Sequence, residues 1–361
     1  MATQFIVKRA TASLTSVLML AGCTHLGPRT VTRDRCDYGS AIAESWKAQT
    51  LLNVVKIRYM DLPVVLEVGQ IVSGYSLETT ANVGGQISSA DAIQGNSLVM
   101  GVQGRFTDRP TITYVPMTGD KFLRGLLTPI DPKNIFFLLQ SGYAADFILG
   151  LTVESLNGLG NRSTAGGILR EAEPDFMRVL ELLREVQAAG GFGLRVEEGK
   201  EKGQTAVLFF RRENVSPEVR EKGAEIRRLL KVPPQQDRFK LIYSPAQGGE
   251  DELAVTSRSM IQIMAAFASY VDAPAEHIKE RRTTPGVENA LKEGAKPGPC
   301  IHSSKQRPAD AYAAVRYRDH WFWIDDRDWQ SKRALTAVTF FFTLTESGSA
   351  ERLPLITIPA Q

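Results

Sequence analysis

The chain has 361 residues, with 43 lysines and arginines against 40 aspartates and glutamates, and 43% of its residues are hydrophobic. This hydrophobic content, with a formal charge of only +3, excludes an intrinsically disordered chain. No run of about eighteen apolar residues occurs beyond the amino-terminal segment, which excludes a protein with several membrane-spanning helices. A charge so close to neutral does not indicate nucleic-acid binding, and we expect no nucleic-acid partner.

The amino-terminal segment has the organisation of a signal peptide. Lys8 and Arg9 form a basic segment, and Ala10–Leu20 is uncharged with a strongly apolar second half. The apolar run is too short to span a bilayer and has the length typical of a signal peptide. It leads into Leu20-Ala21-Gly22-Cys23, and these residues resemble the lipobox of bacterial lipoproteins. The alternative is an ordinary secretory peptide with a cysteine near its cleavage site.

The lipoprotein resemblance implies that residues 1–22 are removed and that Cys23 is acylated. Each buried methylene contributes about 0.8 kcal/mol, so three acyl chains would anchor the protein to a membrane. Thr24 stands where that family carries an aspartate when the protein is retained in the inner membrane. We therefore expect a protein anchored to the outer membrane on its periplasmic side, with residues 23–39 as a lipidated tether.

Two further cysteines, Cys36 and Cys300, would lie in an oxidising compartment, where disulfides persist. The sequence favours a disulfide between them, and two separate thiols are the alternative. A bridge closing so long a loop would stabilise the fold by roughly 5 kcal/mol in the chain-entropy model. Because the chain has three cysteines and no CxxC motif, we expect no structural zinc site.

Residues 40–157 are predicted to form an N-terminal α+β region. A helix is predicted from Ser40, a good N-cap, to Leu62-Pro63. The later predicted elements are strands at Val64–Val72, Ser97–Phe106 and Thr111–Val115, a turn at Asp108-Arg109-Pro110 that makes the last two a hairpin, helices capped by Thr118 and Asp131, and a strand at Ile148–Leu156. A glycine-rich linker at residues 158–173 is the predicted domain boundary.

Residues 174–361 form the predicted C-terminal domain, in which a helix and two strands recur. The predicted elements are helices at Asp175–Ala189, after the cap Ser216 and at Met260–Val271, and strand pairs at Gly193–Glu197 with Thr205–Arg211, Phe239–Ser244 with Leu253–Ser257, and Ala311–Tyr317 with Trp321–Ile324. A single hairpin is not stable alone. We therefore predict an α+β fold in which hairpin–helix units share an antiparallel sheet with the helices on one face. Residues 272–309 are a polar excursion.

The last elements are less distinct in the sequence. Residues 328–345 fit either a helix or a strand, and the helix is favoured because Asp328 can cap it. A final strand is predicted at Leu353–Ile358.

The most distinctive local sequence is YRDHWFWIDDRD, at residues 317–328. Its aromatic and acidic side chains could form a groove for a sugar or a peptide, or a calcium site. The candidate groove residues are Trp321, Trp323, Asp325, Asp326 and Asp328. The favoured alternative is strand alternation, with the aspartates capping the next element.

No recognised catalytic or cofactor motif occurs in the sequence. The histidines fall in predicted loops and include no HExxH motif; they are His25, His277, His302 and His320. There is also no GxSxG motif and no phosphate-binding loop. We therefore expect no catalytic residue, no metal and no cofactor, and we expect Arg227-Arg228 and Arg281-Arg282 to face solvent.

Three segments resemble a set of proteobacterial lipoproteins of unassigned function. They are AIAESWKAQTLLNVVKIRYMDLP, RPTITYVPMTGDKFLRGLLTPI and YRDHWFWIDDRDWQSK. The resemblance implies a location in the cell envelope and supplies no activity. The sequence therefore predicts a lipid-anchored envelope protein with a structural or partner-binding role. The alternatives are an envelope hydrolase of peptidoglycan or glycans that uses the carboxylates at 325–328, and an accessory lipoprotein of a secretion or transport complex.

Overall fold

The computed structural model describes residues 26–72, 74–86, 97–163, 170–198, 204–286 and 299–345. Within these ranges the chain forms two compact units. The smaller unit takes residues 26–44 and Leu66–Pro116, and the larger takes Ser45–Val65 and residues from Met117 onward. The predicted signal peptide, Cys23 and the predicted strand Leu353–Ile358 lie outside the described residues.

Helix α1 (Leu26–Arg58) replaces most of the predicted tether. The prediction of a helix beginning near Ser40 is therefore wrong at its amino-terminal end. Pro28 falls in the first turn, where the missing N–H of proline removes no helical hydrogen bond. No proline follows until the helix has ended, so the polar segment can remain helical although it lacks an apolar stripe.

The described residues of the smaller unit form four strands in two pairs. Strand β1 (Val65–Val72) pairs with β4 (Thr111–Met117), and β2 (Tyr75–Gln86) pairs with β3 (Ser97–Asp108). The predicted hairpin between β3 and β4 is wrong, because β3 pairs antiparallel with β2 along its whole length. The sequence missed β2 because its asparagine and glycines are residue types depleted in strands.

The larger unit contains the remaining elements. These are α2 (Asp120–Leu127), α3 (Pro132–Gln140), α4 (Ala145–Thr152), β5 (Val153–Leu156), β6 (Leu159–Gly160), α5 (Pro174–Ala188), β7 (Phe192–Glu198), β8 (Gln204–Phe210), α6 (Pro217–Leu229), β9 (Arg238–Tyr243), β10 (Glu252–Ser257), α7 (Met260–Ala268), α8 (Ala275–Lys279), β11 (His302–Ser304), β12 (Ala311–Tyr317), β13 (His320–Asp325) and α9 (Trp329–Thr345). The prediction of an α+β fold is confirmed.

Strands β5 to β10 form one sheet in the order β6-β5-β10-β9-β8-β7. Its neighbours are antiparallel except for β9 and β10, which are parallel. The predicted hairpin of these two strands is therefore wrong. The loop with Gly248-Gly249 is not a hairpin turn, which would make the two strands antiparallel. Instead the N–H of Gly248 donates to Oδ1 of Asn157 at 3.0 Å, and the chain returns to begin β10 beside the start of β9.

The segment Ile148–Leu156, predicted as a strand, is divided between α4 and β5. An apolar run of this length does not distinguish a helix from a strand by its periodicity. The next turn uses Asn157 and Gly158, whose φ angles of 47° and 88° suit a tight hairpin into β6. The glycine-rich segment predicted as a domain linker therefore begins with the edge strand of the six-stranded sheet, inside the larger unit.

Several local predictions in the larger unit are confirmed. Asp131 caps α3 by accepting a hydrogen bond from the backbone N–H of Lys133 at 2.8 Å. Ser216 caps α6 in the same way, because its hydroxyl oxygen accepts a hydrogen bond from the backbone N–H of Val219 at 3.3 Å. The ambiguous segment after Asp328 is helical, as favoured.

Strands β11, β13 and β12 form a separate antiparallel sheet in that order. The predicted strand pair β12–β13 is confirmed, but it does not join the six-stranded sheet. Its turn consists of Arg318 and Asp319, with φ angles of 44° and 63°, which suit a two-residue hairpin.

The largest fully buried side chains of the core are Phe176, Phe239, Phe267, Phe322 and Phe341.

Candidate functional site

Two histidines that are distant in the sequence meet in the larger unit. His277 lies in α8 and His320 begins β13, and their ring centroids are 4.9 Å apart. Both are buried, with 3% and 6% of their surface exposed. The carboxylate of Glu276 lies beside them, and the three residues each offer one ligand atom within 4.8 Å of the others. We call Glu276, His277 and His320 the histidine cluster.

Local structure places both rings in the interior. Pro274 precedes α8, and the N–H of His277 donates to its carbonyl at 2.9 Å. On β13 the inward positions alternate, so that His320 shares the buried face with Phe322 and Ile324. The Arg318-Asp319 turn sets this register by pairing Tyr317 with His320.

Tyr59, just beyond the end of α1, fixes the ring of His277. Its hydroxyl oxygen lies 2.7 Å from Nδ1 of His277, and either atom can be the donor. Burial raises the pKa of Tyr59 to about 12, so the phenol is protonated at neutral pH. Burial, together with the nearby His320 and Arg282, lowers the pKa of His277. The pair is therefore a neutral phenol beside a neutral imidazole.

His320 has a different arrangement at each of its two nitrogens. Nδ1 lies 3.4 Å from the backbone carbonyl of Arg318, which can only accept. Nε2 lies 3.2 Å from Oε1 of Glu276. Both of these oxygens can only accept, and a neutral imidazole carries a single N–H, so one of the two ring nitrogens meets its oxygen favourably only with a second proton or a bound cation.

The rim of the histidine cluster carries charges of both signs. The guanidinium of Arg318 lies 5.0 Å from the ring centre of Tyr59 and 3.3 Å from Oδ2 of Asp61. The hydroxyl of Tyr317 also donates to Asp61. The charge of Arg318 is therefore compensated by Asp61. Lys305 approaches Oε2 of Glu276 at 3.7 Å, whereas Oε1 of the same carboxylate faces His320.

A second candidate site is a cavity of about 370 Å³ between α5, α6 and the end of β8. We call it the arginine pocket, because its lining includes Arg211, Arg212, Arg220 and Arg227. Arg227 is only 6% exposed, so the expectation that it faces solvent is wrong. Its Nε is buried and has no hydrogen-bond partner among the described residues.

One carboxylate bonds to two of these arginines. Oδ1 of Asp237 accepts from Nε of Arg212 at 2.7 Å and from Nη1 of Arg227 at 3.5 Å. A single negative charge cannot neutralise four guanidinium groups. The pocket is therefore electropositive and suits a carboxylate or phosphate group.

The structure places the five predicted groove residues in two groups. Trp321, Trp323 and Asp325 occupy the partly buried face of β13. Trp323 lies against His302, with 4.7 Å between the ring centres. Within the described part of the chain, its buried indole nitrogen has no hydrogen-bond partner. Arg307 lies 5.4 Å from the ring centre of Trp321. These side chains share one face, as a groove would require.

The three aspartates are engaged in local contacts. Asp325 accepts from the N–H of Arg327 at 2.8 Å, and Asp326 pairs with Lys332 at 2.8 Å. Asp328 precedes α9 and accepts from the N–H of Ser331 at 3.1 Å. These contacts fit the alternative in which the aspartates cap the next element. Ligand binding on this face stays a prediction.

The two cysteines are thiols in the structure, Cys36 exposed and Cys300 partly buried. They belong to different units, so the disulfide between them stays a prediction. Sγ of Cys300 lies 3.5 Å from Nδ1 of His302.

Sequence reasoning missed both the histidine cluster and the arginine pocket. The sequence offered one signal for the cluster: His320 occupies the same alternate positions of the strand as Phe322 and Ile324. The arginine pocket had a weak signal, because Arg220 and Arg227 are seven residues apart on one face of α6. Only packing between elements brings Arg211 and Arg212 to them.

No protein-family model matches the chain, and no curated protein or solved structure is significantly similar to it. Among the helices of the described residues, none combines the length and apolar character needed to cross a bilayer.

Proposed function

We propose that the protein is a lipid-anchored component of the bacterial cell envelope that binds a partner bearing anionic groups, and that it is not an enzyme. The observation that carries the binding role is Arg227, a buried cation that lines a pocket with three other arginines. The lipobox at Leu20–Cys23 supports the anchor and a location at the periplasmic side of the outer membrane.

The hydrogen-bonding state of Arg227 favours an anionic ligand. A buried donor without a partner destabilises a fold by about 1–3 kcal/mol. Guanidinium groups bind carboxylates and phosphates through two parallel hydrogen bonds. An acidic group in the arginine pocket would therefore satisfy the guanidinium of Arg227 and offset the repulsion among its neighbours.

The binding role is tested by affinity capture of the lipidated full-length protein from solubilised envelopes. We expect a stoichiometric partner that is retained by the wild type and lost by Arg220→Glu. Arg228→Glu is the matched control, because Arg228 is an exposed arginine of the same helix that does not line the pocket. Equal capture by both variants would contradict the use of this pocket.

The anchor is tested separately by mass spectrometry of the native protein and by membrane fractionation. We expect Cys23 to carry the acyl chains and Cys23→Ala to release the protein from membranes, whereas Cys36→Ala remains bound. An unmodified residue 23 would remove the anchor from the proposal.

The hydrolase alternative has a separate readout. Turnover of purified peptidoglycan sacculi, abolished by Asp325→Asn or Asp326→Asn, would reject the non-enzymatic role.

A further inference from the structure

We propose that Glu276, His277 and His320 bind a divalent transition-metal ion of the zinc type. The ligands come from two elements, α8 and the first residue of β13. Their ligand atoms lie within 4.8 Å of one another, so a small closure of the side chains would bring all three to one ion. The site shares no residue with the arginine pocket and does not depend on the proposed binding role.

The distances fit the coordination of zinc. Two ligand atoms bound at about 2.0–2.1 Å in a tetrahedral site are about 3.4 Å apart. Nε2 of His320 and Oε1 of Glu276 already lie 3.2 Å apart. Glu276 is half exposed, so its side chain can rotate to place the carboxylate on an ion bound by the two rings.

Both imidazoles are held in the way that metal-binding imidazoles commonly are. A metal-bound histidine usually donates its other ring N–H to a fixed oxygen. Nδ1 of His320 faces the carbonyl of Arg318 at 3.4 Å, and Nδ1 of His277 faces the hydroxyl of Tyr59 at 2.7 Å. With the proton on each Nδ1, Nε2 of each ring carries the lone pair that would bind the metal.

A metal ion explains the arrangement more completely than an ion pair does. A proton on Nε2 of His320 would form an ion pair with Glu276, but that ion pair would not involve His277. A divalent ion engages both rings and the carboxylate together.

The ligand chemistry selects the class of metal. Two imidazole nitrogens with one carboxylate suit Zn²⁺ and its first-row neighbours, whereas Ca²⁺ and Mg²⁺ prefer oxygen ligands alone. Three protein ligands leave a fourth tetrahedral position for water.

The test is a titration of the chelator-stripped full-length protein in detergent, with Co²⁺ as the spectroscopic probe and Zn²⁺ as the competitor. We expect one equivalent of Co²⁺ to produce visible absorption that Zn²⁺ abolishes. Glu276→Gln and His320→Gln should each weaken binding by at least about tenfold. His302→Gln is the matched control, since His302 is a histidine outside the cluster, and it should bind as the wild type does.

Folding is checked for each variant by circular dichroism and thermal unfolding in the same buffer. Glu276→Gln changes a half-exposed side chain and is expected to fold, so its result decides the test if His320→Gln does not fold. Absence of Co²⁺ binding by the wild type would overturn the proposal. Binding that is unchanged in Glu276→Gln, or lost in His302→Gln, would overturn it as well.

Discussion

Nε2 of His320 lies 3.2 Å from Oε1 of Glu276, which links the first residue of β13 to the first turn of α8. This contact joins the polar excursion to the three-stranded sheet. Tyr59 adds α1 to the same place through His277. Three parts of the larger unit therefore converge on a few polar side chains, and substitutions there should affect stability measurably.

Tyr59→Phe should lower the free energy of unfolding by about 1–3 kcal/mol, because it leaves a buried nitrogen of His277 without its partner. Urea denaturation measures this change. The control is Tyr312→Phe, which removes an exposed hydroxyl contact of 3.3 Å to Thr336 and should change stability little. Equal losses in the two variants would argue against a special role for the Tyr59–His277 bond.

Asp328→Ala should destabilise the protein by about 1 kcal/mol, because Asp328 caps the start of α9. Asp328→Asn retains an oxygen that can accept from Ser331 and should retain most of the stability. Thermal unfolding of both variants provides the comparison. If the two substitutions have the same effect, the capping assignment is incorrect.

Asn157→Ala should lower the free energy of unfolding by about 2–4 kcal/mol. The side chain donates to the carbonyl of Leu230 at 2.6 Å and accepts from Gly248 at 3.0 Å, and both bonds would be lost. The residue also has a positive φ of 47°, which alanine tolerates less well than asparagine. The control Asn214→Gly, at an exposed position with a φ of 58°, should be nearly neutral in denaturant unfolding.

Asp326 should contribute to the acid dependence of stability. The hydrogen bond from Lys332 holds the pKa of Asp326 below its ordinary value. A lowered folded-state pKa stabilises the fold above the unfolded value of about 3.9, and this contribution is lost as the pH falls through the folded value. Asp326→Asn should therefore be less stable than the wild type at pH 7 and equal to it at strongly acidic pH.

Unfolding curves measured across this pH range test the prediction for Asp326. In a Lys332→Met background the same substitution should have little effect at any pH, since the partner is already absent. A pH-independent difference between Asp326→Asn and the wild type would contradict the assignment.

The sequence predicted the elements whose signals are local. Asp131 and Ser216 were recognised as caps because a capping side chain bonds to a backbone N–H only two or three residues away. The β12–β13 hairpin was recognisable because its turn has two residues and its strands alternate. Such features depend on neighbours in the chain, which the sequence displays directly.

The features that the sequence did not predict depend on packing between distant segments. Strand β9 was assigned correctly, but its parallel partner could not be inferred, because a loop with two glycines is also typical of a hairpin. His277 and His320 are far apart in the sequence and belong to no shared motif, so the sequence does not indicate their contact. The sequence predicts Arg227 and Arg228 as a pair of surface arginines, and only the packing of α5 and α6 distinguishes them.

The strand order of the six-stranded sheet has a consequence for folding during synthesis. Strands β5 and β6 precede α5 in the chain, yet the second neighbour of β5 in the sheet is β10, which is synthesised much later. Contacts between segments so far apart close late and slow the folding of a domain. On the ribosome, Val153–Gly160 must therefore wait until Glu252–Ser257 has emerged, and a chain truncated before β10 would expose an unpaired strand edge to aggregation.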